Sequence, residues 1–261
     1  MISVIISYYK VENFRAVHQN IAKTCGQNVE VIGIYNANNY SIGQAYNMGR
    51  RKAKFPFLLF LHDDVAFRTF NWGSTLINHL EDKKTGVVGI AGSNYVPKAP
   101  SGWYITPATG HTSENKREAI VLDGVFLAIT ANNFDRLHFD ANIPGFHGYD
   151  TDFSLRASLI LQNYIISDIK IDHYSSGTID KTWLDNTVLI RKKLRNYPQK
   201  KSDITLEKTA FLSFIGYFFK YYPMNIKNFR ETIQFLPKGL SLKDYFEIHI
   251  LYAKFLKNRF L

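Results

Sequence analysis

The stretch that most limits what this chain can fold into is residues 55–65, Phe-Pro-Phe-Leu-Leu-Phe-Leu-His-Asp-Asp-Val. An unbroken apolar run, Phe57–Leu61, stops on His62, Asp63 and Asp64. A run that short, bounded by Pro56 on one side and charge on the other, predicts a central strand buried on both faces. In an open α/β sheet, ligands bind beyond the carboxyl ends of such strands. Two carboxylates and an imidazole placed there make a candidate metal site, because hard divalent ions take oxygen ligands and tolerate imidazole. The plainer alternative is a strand ending in a polar turn, with Asp64 capping the next element.

The flanking pattern supports a parallel sheet. Residues 2–7 are β-branched and apolar, and a helix is predicted over 13–25 with Gly26 as its stop. Residues 29–35 form a second strand, and Ser41 caps a helix running to residue 54. Strand, helix, strand, helix, strand is the signature of right-handed βαβ units. Further on, a helix is predicted over 71–80 and a strand over 87–91. Residues 92–118 then read as a long loop containing Trp103, Tyr104 and His111, of a length that is usually functional. A strand over 119–130 carries Asp123 and Gly124 in its middle, a loop covers 141–152 and a helix 153–162. The last strand, 164–172, ends at His173.

Charge divides the chain. Residues 1–190 hold 17 Lys and Arg against 17 Asp and Glu, whereas residues 191–261 hold 15 against 5, the whole of the net +10. The division predicts a catalytic domain over 1–190 and a basic, aromatic helical appendage over 191–261, with helices over 206–222 and from a capping box at Ser241 to Arg259. The appendage suits an anionic membrane surface, approached by basic and aromatic helices rich in Phe211, Phe214, Tyr217, Phe218, Phe219, Tyr221 and Tyr222. The same aromatics would equally serve as packing against the rest of the chain or a second subunit. Nucleic acid is not expected as a partner, because the first 190 residues are neutral and carry no DNA- or RNA-binding motif. Cys25 is the only cysteine, so no internal disulfide can form and a reducing compartment is expected. The apolar start meets Lys10 without a basic leader and reads as a first strand. The best membrane-span candidate, residues 209–219, is half the roughly 20 residues required.

Several segments taken in order resemble a known family. They are Ser3-Val4-Ile5-Ile6-Ser7, then Ala45-Tyr46-Asn47-Met48-Gly49, then Phe60-Leu61-His62-Asp63-Asp64-Val65, then Leu122-Asp123-Gly124, and finally Gly148-Tyr149-Asp150-Thr151-Asp152-Phe153-Ser154-Leu155-Arg156. Together, over residues 1–180, they are similar to the GT-A nucleotide-sugar glycosyltransferases of family 2 and their streptomycin-biosynthesis-type relatives. The resemblance implies a Rossmann-like, mostly parallel α/β sheet flanked by helices. It implies a metal-dependent, inverting transfer of a sugar from a UDP-type donor to a glycan or lipid-linked hydroxyl, in bacterial surface-polysaccharide or lipooligosaccharide assembly. It also implies a cytoplasmic enzyme, peripheral on the inner face of the plasma membrane, with homo-oligomers allowed.

The resemblance assigns roles by position. Asp64 matches the last acid of the family's Asp-x-Asp motif, His62 stands where its first acid usually is, and His173 closes the site from the C-terminal side, so Mn²⁺ or Mg²⁺ is expected on these three. Asp150 matches the catalytic base of the family's Glu-Asp pair, with Tyr149 in place of the Glu; the alternative for Asp150 is a helix cap. Ser7, Tyr8, Tyr9, Asn36, Asn47 and Asp63 fall on the donor side, with amides rather than the usual acid after the second strand to read the base. Asp123, Gly124 and Tyr149 fall on the acceptor side. Asp152 and Arg156, four apart at the helix start, read as a structural ion pair. Two other classes compete: a phosphohydrolase built on the His62-Asp63 doublet, and a non-catalytic binder using the basic tail.

Overall fold

A computed structural model describes residues 1–102, 115–175, 177–195, 197 and 203–257. The chain divides into two compact units, one holding residues 1–95 with the described residues of 115–178, the other residues 96–102 with those from 179 onward. Along the first unit run β1 (Ile2–Tyr8), α1 (Val11–Thr24), β2 (Val29–Tyr35), α2 (Ile42–Lys52), β3 (Phe57–Leu61), β4 (Val65–Phe67), α3 (Trp72–Leu80), β5 (Thr85–Gly89) and β6 (Gly92–Ser93). After the segment 103–114, which lies outside the described residues and is the middle of the expected long loop, come β7 (Lys116–Ala119), β8 (Val121–Leu122), β9 (Phe126–Thr130), α4 (Ala131–Leu137), α5 (Tyr149–Ser158), β10 (Gln162–Ile166) and β11 (Ile171–His173).

Seven strands form one sheet in the order β2-β1-β3-β9-β5-β10-β7. β1 lies parallel to both β2 and β3, while β9 runs antiparallel between β3 and β5. The order reverses at β1, so the crevice beyond the carboxyl ends of β1 and β3 is the topological switch point where such sheets bind ligands. Strand alternation explains why β3 reads as an unbroken apolar run. Leu59 and Leu61 join a core with Val17, Ile21 and Trp72, whereas Leu58 and Phe60 point to the other face and pack with Tyr46, Phe134 and Phe153. All four of these β3 side chains are fully buried.

Helix starts follow their caps. The Ser41 hydroxyl accepts from the Gln44 backbone and Gln44 returns the bond, so α2 opens on a capping box. Helix α5 opens at Tyr149, four residues before the expected start at 153, because Gly148 supplies the left-handed turn (φ 84°) that lets the chain enter it. The expected strand over 119–130 is broken into β7, β8 and β9. The break is the turn at Asp123-Gly124, where Asp123 Oδ1 accepts the Val125 N–H at 2.9 Å. Likewise the expected strand 164–172 is two, β10 in the main sheet and β11 paired antiparallel with β4 in a separate ribbon.

The second unit is helical: α6 (Lys181–Lys193), α7 (Ile204–Tyr221), α8 (Ile226–Ile233) and α9 (Leu242–Lys257). The compositional boundary at residue 190 falls inside α6, a helix that the charge pattern does not reveal. Phe211, Phe214 and Phe218 of α7 are the interior of this unit, not its surface. No described helix is long and apolar enough to cross a membrane.

The join of α2 to the sheet gives a test of this packing. Gly49 faces β1, and a methyl group there would overlap Ile5 Cγ2. Helix propensity alone would make Gly49→Ala stabilising by about 1 kcal/mol. Overpacking predicts the opposite sign, a loss of about 1–3 kcal/mol, measured as a lower urea midpoint at unchanged slope.

Candidate active site

The site lies beyond the ends of β1 and β3 and is assembled by three local devices. The first is β3 itself, which delivers His62, Asp63 and Asp64 in sequence. The second is the β4–β11 ribbon, whose register places His173 opposite Val65, with the Tyr174 N–H donating to the Asp64 carbonyl at 3.0 Å. The ribbon brings a histidine more than 100 residues away in sequence to within 3.4 Å (Nε2) of Asp64 Oδ1. The third is the turn Asp123-Gly124, against which the first turn of α5 packs. There the Gly124 N–H donates to Asp150 Oδ2 at 3.1 Å and the Thr151 N–H to Asp150 Oδ1 at 2.7 Å.

One side-chain atom from each of His62, Asp64 and His173 lies within 4.8 Å of the others. Their protonation can be worked out from the neighbouring bonds. The Gly124 carbonyl can only accept, so the Tyr149 hydroxyl donates to it (3.1 Å), and the Tyr149 oxygen then accepts from His62 Nε2–H (3.0 Å). That tautomer leaves the His62 Nδ1 lone pair directed toward Asp64 Oδ1, 4.0 Å away. Burial holds the His62 pKa below the usual histidine range, against the opposing pull of Asp123 and Asp64, which keeps the ring neutral. An imidazole nitrogen of His62, a carboxylate oxygen of Asp64 and an imidazole nitrogen of His173 thus converge. This donor set suits a divalent cation of the Mn²⁺ type, and Tyr149 supplies the outer hydrogen bond that orients such a ligand.

Two acids have displaced pKa values. Asp150 is pushed up to about 7, first by burial and then by the charge of Asp123, although the backbone N–H groups of Thr151, Gly124 and Asp150 itself pull it down. Asp63 is raised by burial and by Asp64, with Asn13 and Lys10 of the β1–α1 corner acting the other way. Its Oδ2 is buried and has no hydrogen-bond partner among the described residues. Behind both, burial drives the Tyr46 phenol far above its ordinary range; its hydroxyl donates to the Leu61 carbonyl at 3.2 Å.

Other candidates have different places. Asn36 is buried, and its amide is spent on the Tyr40 backbone in both directions (3.1 Å each), which closes the loop after β2. Asn47 does the same with the Phe139 backbone, at 2.9 and 3.2 Å. Each amide thus already carries one backbone bond in each direction, which fixes its orientation. Tyr149 is buried, and its hydroxyl bridges His62 and the Gly124 carbonyl. Gly124 is required there, since a Cβ would overlap the Tyr149 hydroxyl. Ser7 is half-buried, Tyr8 stacks on Phe14 at 4.4 Å and Tyr9 is exposed, so the β1 end keeps an open polar and aromatic rim. Asp152 pairs with Arg156 (2.8 Å), whose other nitrogens bond the Leu137 and His138 carbonyls, fixing α5 to the end of α4. Asn13 and Lys10 join the site without being singled out by sequence reasoning, their signal being their place just after β1, while Tyr46 lay in a segment of the family resemblance without a role of its own. The His62-Asp63 doublet closes a β-strand, and the helical setting a phosphohydrolase needs is absent there.

A mostly parallel sheet of this order with a His/Asp cluster at its switch point belongs to the GT-A class of folds. Residues 3–209 match the family described as "Glycosyltransferase like family", and the chain belongs to that family. Among solved structures it is similar to GalNAc-T7 with UDP, GalNAc and Mn²⁺ (TM-score 0.60, 14% identity, covering 87% of this chain and 59% of that one). It is also similar to S. aureus TarS 1–349 in complex with UDP-GlcNAc (TM-score 0.53, 14% identity, 90% and 81%). A third is the mannosyltransferase PcManGT from Pyrobaculum calidifontis with GDP-Man and Mn²⁺ (TM-score 0.55, 10% identity, 98% and 80%). At these identities the likeness concerns the fold, and the chain spans less than two thirds of the GalNAc-T7 structure. No curated protein matches the sequence.

A titration with Mn²⁺ followed by electron paramagnetic resonance tests the donor set. One tight site is expected, abolished by Asp64→Asn. Tyr149→Phe, which removes the hydroxyl that orients His62, should weaken binding about 10–100-fold while leaving the far-UV spectrum unchanged. Equal Mn²⁺ affinity in all three proteins would refute the assignment.

Proposed function

We propose that this chain moves a sugar from a nucleoside-diphosphate sugar, UDP-linked, to a hydroxyl of a glycan or lipid-linked acceptor with inversion of configuration. The observation that carries the reading is one crevice holding a divalent-cation donor set and a separate carboxyl group held near pKa 7. Family membership and the nucleotide-sugar complexes of similar structures support it, two of the three with a uridine nucleotide.

His62, Asp64 and His173 would hold Mn²⁺ or Mg²⁺, which when bound neutralises the departing diphosphate as a Lewis acid. Asp150 takes the acceptor hydroxyl proton as the oxygen attacks the anomeric carbon, and a direct displacement of this kind inverts that carbon. Its two backbone N–H donors fix the carboxylate without consuming both lone pairs of each oxygen, so one remains for the incoming proton. Burial beside Asp123 makes Asp150 a stronger base than an exposed aspartate, at the cost of being protonated below neutral pH. Asp63, with its buried unpartnered oxygen, accepts a ribose or sugar hydroxyl. Ser7, Tyr8 and Tyr9 line the nucleotide side, Tyr8 and Tyr9 offering aromatic surface to the base.

Incubation with UDP-sugars and GDP-mannose in the presence of Mn²⁺ tests the class: nucleoside diphosphate release that depends on an added glycan acceptor marks the transferase, and free phosphate instead would refute it. Asp150→Asn should lower kcat by roughly 10²–10⁴-fold with donor binding retained. The sign of the pH dependence follows from the raised pKa. At saturating Mn²⁺, kcat/KM of the wild type should rise with pH through about 7 and level off above it, as Asp150 loses its proton. A profile flat from acid to neutral pH would show that Asp150 is not the base.

A further inference from the structure

The outer face of the second unit carries a feature that catalysis does not use. Helix α9 is apolar on two sides. Its inner side packs Ile248 and Tyr252 against α7 and α8, with the Tyr252 hydroxyl bonded to Thr232 at 2.7 Å. At 100° per residue, Leu242, Phe246, His249, Ile250, Ala253 and Leu256 fall within an arc of about 120° on the other side, and all six are exposed. Leu242 is 89% and Phe246 68% exposed, values that an apolar side chain covered by its own chain would not have. Next to this arc, α8 and α9 enclose a groove of about 990 Å³ lined by Met224, Ile226, Phe229, Tyr252 and Leu256. Ile226, at its mouth, is 73% exposed.

Charge says what covers this face. The acids of the region are committed inside the unit: Lys192 pairs with Glu231, and Lys208 with both Asp244 and Glu247. Asp203 caps α7, and Glu207 is buried against the Lys98 backbone N–H. Lys227 and Arg230 on α8 and Lys243 and Lys254 on α9 are exposed and have no ion-pair partner among the described residues. An exposed apolar arc bordered by uncompensated cations is the pattern of a helix that lies in the interface of an anionic bilayer. A second copy of the chain would set the same cations against one another.

We propose that this face, the outer side of α8 and α9, seats the protein on an anionic lipid surface, with Leu242, Phe246 and Ile226 entering the acyl boundary and the four cations meeting lipid phosphates. Phe211, Phe214 and Phe218 of α7, which the sequence alone pointed to, are buried in the interior of the unit and take no part in this contact. The assignment is independent of the sugar-transfer reading.

Flotation of the full chain with phosphatidylcholine vesicles, with and without phosphatidylglycerol, tests it. Binding is expected only with the anionic lipid and should fall steeply as NaCl is raised. Leu242→Glu with Phe246→Glu should abolish it; both positions are exposed, so the fold is retained, as circular dichroism would verify. Each of Lys227→Gln and Lys243→Gln should weaken partitioning about five-fold. Absence of binding at low salt, equal binding to neutral vesicles, or binding unchanged in the Leu242/Phe246 variant each overturns the proposal. So does a concentration-dependent dimer that the Phe246 substitution dissolves while no vesicle binding occurs.

Discussion

The site depends on one hydroxyl. Tyr149 sits at the first turn of α5, donates to the Gly124 carbonyl and accepts from His62 Nε2–H. The Gly124 N–H in turn holds Asp150. Three segments separate in sequence, the end of β3, the turn after β8 and the start of α5, are thereby locked in one register. The bond also decides chemistry, because it fixes the tautomer that turns a lone pair of His62 toward Asp64. Tyr149 therefore holds His62 from the side away from Asp64. A buried neutral hydroxyl achieves this at lower desolvation cost than a carboxylate would in the same place.

Negative charge is the second constraint. Asp63, Asp64, Asp123 and Asp150 gather at this end of the sheet, and burial with a neighbouring acid raises the pKa of Asp63 and of Asp150. Lys10 lies at the rim and acts on Asp63 alone. A diphosphate would be repelled from such a site unless a cation entered with it.

Local chemistry made the central pieces legible in the sequence. Phe57–Leu61 could only be a strand buried on both faces, and its end named His62, Asp63 and Asp64. Ser41 announced the start of α2, and the four-residue spacing of Asp152 and Arg156 announced their ion pair. What escaped was decided by tertiary contact. The turn at Asp123-Gly124 sits inside an apolar run whose β-propensity hides it, and it exists because Tyr149 and Asp150 pack there. The β4–β11 ribbon is a pairing of three residues with three across a long separation, below any periodic signal. Asn36 and Asn47 looked like free amides because nothing local reveals that the Tyr40 and Phe139 backbones use them. Charge counting located the basic quarter of the chain but not its outward face, since burial selects among aromatics that composition treats alike.

The central claim is that His62, Asp64 and His173 bring a cation and a nucleoside diphosphate into one crevice, and linkage measures it directly. Calorimetric titration of UDP with and without Mn²⁺, and of Mn²⁺ with and without UDP, should give the same enhancement in both directions, within about 5–150-fold. Asp64→Asn should abolish it while the protein remains folded. UDP binding with equal affinity in the presence and absence of Mn²⁺ would contradict the account.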